Sequence, residues 1–157
     1  MLILGIDPGT THSGFVLLHS DMSVVEAGHV ANAEIFRLLV ELDNPQVAIE
    51  MVGLYGTGMA VAKDVFWTCV AIGRFYEASP NGALLYLRQT IKAHLCGNPK
   101  AKDGNIRQAL ADRLGAPGTK KNPGPTYGVT GHCWQALAVA VCHADGVESI
   151  SPPRKEG

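Results

Sequence analysis

The stretch Leu2-Ile-Leu-Gly-Ile-Asp-Pro-Gly-Thr-Thr-His-Ser-Gly-Phe-Val-Leu-Leu18 constrains this chain most. Two apolar, β-rich runs, residues 2–6 and 14–19, flank a Pro-Gly turn of small polar residues, and this pattern predicts a β-hairpin. The first run ends in an acid, Asp7. An unpaired carboxylate withdrawn from water costs several kcal/mol or shifts its pKa. Asp7 therefore either caps the turn or holds something positive.

The remaining pattern alternates strand and helix signals. Residues 23–30 read as a third strand, and Asn32 as the N-cap of a helix to Leu42, with Ile35, Leu38, Leu39 and Leu42 at helical spacing. Asn44-Pro45 breaks the chain before a short apolar run, 46–52, which again carries one acid, Glu50, near its end. A glycine-bearing segment, 53–58, leads to a helix over 59–78, then a Ser-Pro-Asn-Gly turn and a strand over 83–87. Helices follow over 89–95, 103–114 and 131–144, the last two separated by a Pro/Gly-rich loop at 115–130. This order predicts an α/β fold, a mixed central sheet flanked by helices. The expected organisation is a single domain over 1–146 and a disordered C-terminal tail over 147–157.

No apolar run approaches the roughly 18 residues of a membrane span, and residues 1–20 lack a basic leader, so a cytoplasmic protein is expected with no membrane partner. The four cysteines form no C-x-x-C pair and read as reduced thiols. His132-Cys133 and Cys142-His143 lie about two and a half helical turns apart, which argues against a shared zinc site. The charge is unevenly distributed. Residues 1–87 hold nine acids and three bases, whereas 88–121 hold eight bases and two acids. Such a run is either a solvated face or a phosphate-binding surface.

If the strands ending at Asp7 and Glu50 are adjacent and parallel, their carboxylates stand side by side. Like charges that close call for a cation between them, and hard oxygen donors suit Mg²⁺ or Mn²⁺. Here the sequence resembles a known family. Leu4-Gly-Ile-Asp-Pro-Gly-Thr-Thr-His-Ser-Gly14, Val47-Ala-Ile-Glu50 and Ala136-Leu-Ala-Val-Ala140 are similar to the active-site motifs of RuvC-type Holliday-junction resolvases. Ile91-Lys-Ala-His-Leu-Cys-Gly97, with Lys100 and Lys102, is similar to that family's basic region. The order agrees over about residues 2–145, and the expectation extends to a phage-like branch of the family.

The resemblance implies a ribonuclease H-like fold, a homodimer, and metal-dependent cleavage of branched DNA such as four-way junctions, forks or flaps, with two divalent ions per site. It implies catalytic and metal-ligating roles for Asp7, Glu50, His132 and Gln135. It also implies DNA contacts from Tyr55, Arg88, Lys92, His94, Lys100, Lys102, Arg107, Lys120 and Lys121. Gln135 departs from the pattern, because the family places an acid there, and Asp145, ten residues on, lies about 15 Å further along the helix. His12 reads either as a solvated turn residue or as one facing the scissile phosphate. Phe66, Trp67, Phe75 and Tyr76 read as core or dimer interface. Two alternatives stay open: a structure-specific DNA binder that has lost cleavage, and an actin-like ATPase or sugar kinase, whose phosphate hairpin is similar but which needs a second domain.

Overall fold

The computed structural model describes residues 1–53 and 59–150, the side chains of 59–62 excepted. The elements run β1 (Leu2–Asp7), β2 (His12–His19), β3 (Val24–Ala31), α1 (Asn32–Glu41), β4 (Gln46–Met51), α2 (Met59–Ala78), β5 (Ala83–Leu87), α3 (Arg88–Cys96), α4 (Asp103–Leu114) and α5 (Cys133–Ala144). The five strands form one sheet in the order β3-β2-β1-β4-β5. β1 pairs antiparallel with β2 and parallel with β4, so the sheet is mixed, as the element order predicts.

Strand alternation divides the core into two layers. Leu4, Ile6, Phe15, Val47, Ile49 and Leu85 face α1 and α2, where they meet Ile35, Leu39, Ile72 and Phe75. Ile3, Val16, Leu18, Ala48 and Tyr86 face the other way, against α5 with α3 and α4 beyond it. Every residue of α5 from Cys133 to Cys142 is buried, because the helix lies between the sheet and two further helices. On α2, Phe75 is fully buried, while Phe66, Trp67 and Val70 are at least half exposed and share one helical face.

Two local expectations change, and one loop gains definition. Asn32 is the first residue of α1 rather than its N-cap, and its side chain turns back to the β1–β2 turn, where it donates to the carbonyls of Gly9 and Thr10. The loop 115–130 is ordered by its own hydrogen bonds: Gly124 N–H to the Pro117 carbonyl, Thr119 N–H to the Asn122 carbonyl, and the Thr126 hydroxyl to the Gly115 carbonyl. Beyond α5 the chain is still held. Val147 N–H donates to the Cys142 carbonyl, and Ile150 N–H donates to the Leu85 carbonyl on β5. Residues 151–157, the rest of the expected tail, lie outside the described residues.

The approach of α5 to the sheet depends on glycine. A Cβ on Gly5 would stand 2.2 Å from the Ala136 carbonyl oxygen and 2.8 Å from the Ala140 Cβ. One on Gly14 would stand 2.8 Å from the His132 carbonyl oxygen. Gly73, on α2, has nothing within 4 Å of its Cβ position. Gly5→Ala should therefore destabilise the protein by about 3 kcal/mol or more through overpacking. Gly73→Ala should stabilise it by about 0.5–1 kcal/mol through helix propensity. Urea denaturation of both variants checks this; equal midpoints would mean that α5 does not press on β1.

Candidate active site

The register of β1 with β4 runs from Ile3 opposite Gln46 to Ile6 opposite Ile49. The next positions along the two strands are Asp7 and Glu50. Each continues the alternation that turns Ile3 and Ala48 toward α5, so both acids lie on the α5 side at one end of the sheet.

Asp7 is not the residue that holds the turn. Gly9 N–H donates to Ser13 Oγ at 3.1 Å, and the buried Ser13 hydroxyl donates to Asn32 Oδ1 at 2.7 Å. With the turn secured by Ser13 and Asn32, the Asp7 carboxylate points to α5. His132, immediately before that helix, places its Nδ1 3.0 Å from Asp7 Oδ2.

Gln135, three residues on, is 6% exposed, and its Oε1 is buried without a hydrogen-bond partner. Asp7, Arg88, Asp103, His132 and Gln135 line one cleft of about 430 Å³. Glu50 is buried beside it. Its Oε1 accepts from Arg88 Nη1 at 3.0 Å, while its Oε2 is buried and unpartnered. Arg88 also reaches Asp103 with its other terminal nitrogen.

Burial dominates the electrostatics. Desolvation, and then the nearby Asp7 charge, push Glu50 up to about 7, against the opposing pull of Arg88. Asp7 is likewise raised by burial, partly offset by its bond to His132 and by the charges of His132 and Arg88.

Three histidines edge the cleft. His29 lies opposite Gly14 in the β2–β3 register, and because Gly14 has no side chain, His29 stacks on His132 with ring centroids 5.1 Å apart. His12 also stacks on His29, with ring centroids 5.9 Å apart, and lines the cleft.

These residues suit a hard divalent cation. Asp7, Glu50 and Gln135 offer oxygen donors, and two buried oxygens, Glu50 Oε2 and Gln135 Oε1, lack any donor. Among the described residues no three of His, Cys, Asp or Glu gather as a ready metal cage, so a cation here would draw on the Gln135 amide as well. The two His-Cys pairs do not meet: His132 faces Asp7, and His143 bonds Tyr86 and Gln46.

The basic residues divide into two groups. Lys100, Lys102, Arg107, Lys120 and Lys121 are exposed and form no ion pair with a described residue; Arg107 lies over the Trp134 ring at 5.5 Å. The other group is engaged internally. Arg88 is in the cleft, and Lys92 lies 4.0 Å from Asp103. His94 is bonded to Asp145, which also accepts both terminal nitrogens of Arg113. Tyr55 lies outside the described residues. The sequence reading missed Asp103 and His29. Asp103 has an ordinary local role as an acid in the first turn of a helix, and His29 joins the site only through a glycine on a neighbouring strand.

No family model and no curated protein matches this sequence. Solved structures do. The chain is similar to Thermus thermophilus RuvC in complex with a Holliday junction substrate, at 23% identity and a TM-score of 0.66, over 92% of this chain and 93% of that one. A second structure of Thermus thermophilus RuvC matches with the same identity and coverage at a TM-score of 0.64. The chain thus has the RuvC-type, ribonuclease H-like fold.

The raised Glu50 pKa fixes the sign of a pH effect. Folded, metal-free protein holds this proton more tightly than the unfolded chain does. The resulting stability is complete below about 4.5, the ordinary glutamate value, and is lost as pH rises through about 7. Asp7 contributes in the same sense. Urea denaturation with a chelator present should show stability falling across that window, by at most about 3 kcal/mol from Glu50. Glu50→Gln should flatten the fall; an unchanged profile would mean that Glu50 is solvated.

Proposed function

We propose that this protein is a divalent-metal-dependent endonuclease that cleaves branched DNA, of the Holliday-junction resolvase kind. The observation that carries the reading is the pair Asp7 and Glu50, adjacent at the ends of parallel strands beneath the start of α5, in a chain with the fold of RuvC. One of the similar RuvC structures holds a Holliday junction substrate, which supports a four-way junction, or a related fork or flap, as the substrate class.

In this reading Mg²⁺ or Mn²⁺ is held by Asp7, Glu50 and Gln135. A bound divalent ion lowers the pKa of a coordinated water and offsets charge on the phosphoryl oxygens. His132 orients Asp7 through Nδ1, with its ring exposed at the mouth of the cleft. Lys100, Lys102, Arg107, Lys120 and Lys121 bind backbone phosphates. The protein acts in the cytoplasm as a homodimer through the α2 face that carries Phe66, Trp67 and Val70, since exposed apolar residues of this size in one stripe favour a partner. Among the described residues no helix is long and apolar enough to cross a membrane.

A second reading, a branched-DNA binder without cleavage, is favoured by the neutral Gln135. The two separate in one assay: labelled four-way, three-way and duplex DNA incubated with the protein in Mg²⁺ and in Mn²⁺. Cleavage of the four-way substrate is expected, faster in Mn²⁺, because Mg²⁺ demands near-ideal octahedral geometry and dehydrates reluctantly, which a set with one neutral amide oxygen serves poorly. Asp7→Asn and Glu50→Gln should reduce cleavage to below a few per cent while junction binding persists, and Gln135→Asp should raise the rate in Mg²⁺. Binding without strand scission in either metal would leave the second reading.

The exposed cations predict how binding responds to salt. Each phosphate contact contributes about −0.9 to the slope of log affinity against log salt on duplex DNA. Replacing Lys100, Lys102 and Arg107 together by Ala should make that slope shallower by about 2–3. The same slope in the triple variant would show these residues to be a solvated face only.

A further inference from the structure

Arg88 is placed by the sheet and not by a mobile loop. β5 pairs parallel with β4, with Tyr86 opposite Glu50 and Leu87 opposite Met51, and Arg88 is the next residue, the first of α3. Its guanidinium spans two carboxylates. One is the buried Glu50 at 3.0 Å; the other is the exposed Asp103 at the start of α4. A positive group with rigid, directional donors thus bridges an acid in the cleft, Asp103, and one buried beside it, Glu50.

The charges in the cleft limit what else it takes. With the carboxylates ionised, as cation binding requires, Asp7 and Asp103 in the cleft and Glu50 beside it bring three negative charges and Arg88 one positive, while Gln135 brings none. The site is left with two negative charges, or one if Lys92, at 4.0 Å from Asp103, is counted. One divalent ion balances that. Two would leave excess positive charge in a partly buried cleft, where uncompensated charge is costly. The open valences agree. Arg88 takes Glu50 Oε1 and leaves Oε2 buried and unpartnered, and the cleft residue Gln135 likewise has a buried, unpartnered Oε1.

We propose that Arg88 is a resident cation that takes the place of a second divalent ion, so that this site binds one divalent ion per chain. The inference rests on the metal-dependent nuclease reading and revises the count of two that the sequence resemblance implies. It also gives the Gln135 departure a physical sense. A site with a built-in positive charge has one acid fewer to match, and Asp103 supplies a carboxylate from a different helix. Arg88 here is a positioning residue that acts through Glu50 and Asp103, so its test reads ion binding and not turnover.

The experiment is a Mn²⁺ titration of the full chain by calorimetry, with the bound ion counted independently by the loss of free Mn²⁺ signal in electron paramagnetic resonance. The expected counts are one ion per chain for the wild type, one for Arg88→Lys, and two for Arg88→Gln, with the second lost again in Arg88→Gln/Asp103→Asn. Arg88→Lys keeps the charge and serves if Arg88→Gln fails to fold, since a count of one for both it and the wild type supports the inference. Two ions on the wild type, or one on folded Arg88→Gln, would overturn it and leave the nuclease reading intact. No ion on the wild type would overturn both, and Asp7→Asn, expected to abolish binding, confirms which site is counted.

Discussion

The site depends on the parallel pairing of β1 with β4. Strand periodicity turns alternate residues to the same face, so a one-residue slip in that register would send Glu50 to the α1–α2 layer while Asp7 stayed on the α5 side. The register is held by apolar residues on both faces: Leu4, Ile6, Val47 and Ile49 on one, Ile3 and Ala48 on the other. Two acids so placed repel each other at the edge of a core, and the surroundings answer with a partner for each, the His132 ring for Asp7 and the Arg88 guanidinium for Glu50.

The second requirement is steric. His132 and Gln135 reach the acids because α5 lies almost on the backbone of β1 and β2, at Gly5 and Gly14. The same absence of a side chain at Gly14 admits His29 to the edge of the cleft. Two glycines in ordinary strand conformation thus act through the volume they leave free and not through unusual backbone angles.

The two ion pairs of Arg88 differ in strength. The Asp103 carboxylate is 61% exposed, and a solvated pair of this kind contributes little to stability. Glu50 is 7% exposed at its side chain, so the pair on that side matters more, and separating it leaves a buried charge. The basic surface is separate from this network. Its exposed members lie at and after the α3–α4 connection and at the tip of the ordered 115–130 loop, away from carboxylate partners, which is the arrangement a polyanion requires.

Most of the elements were legible in the chain itself, because hydrophobic periodicity, Pro and Gly breaks and turn chemistry are local properties. The ten elements lie where those signals put them, to within about two residues. So were Asp7 and Glu50, since an acid at the end of an apolar run has few local explanations, and so were His132 and Gln135, through resemblance to a known motif. What the sequence could not reveal was decided by packing across long chain distances. Asn32 reads locally as a helix cap, Asp103 as a helix-terminal acid and Arg88 as one of a run of bases, yet each is bound to a group far away in the chain. The sequence determined which residues carry charge and which strands carry acids. Only the tertiary structure decided which charges face one another, because that follows from sheet register and from how closely one helix approaches two glycines.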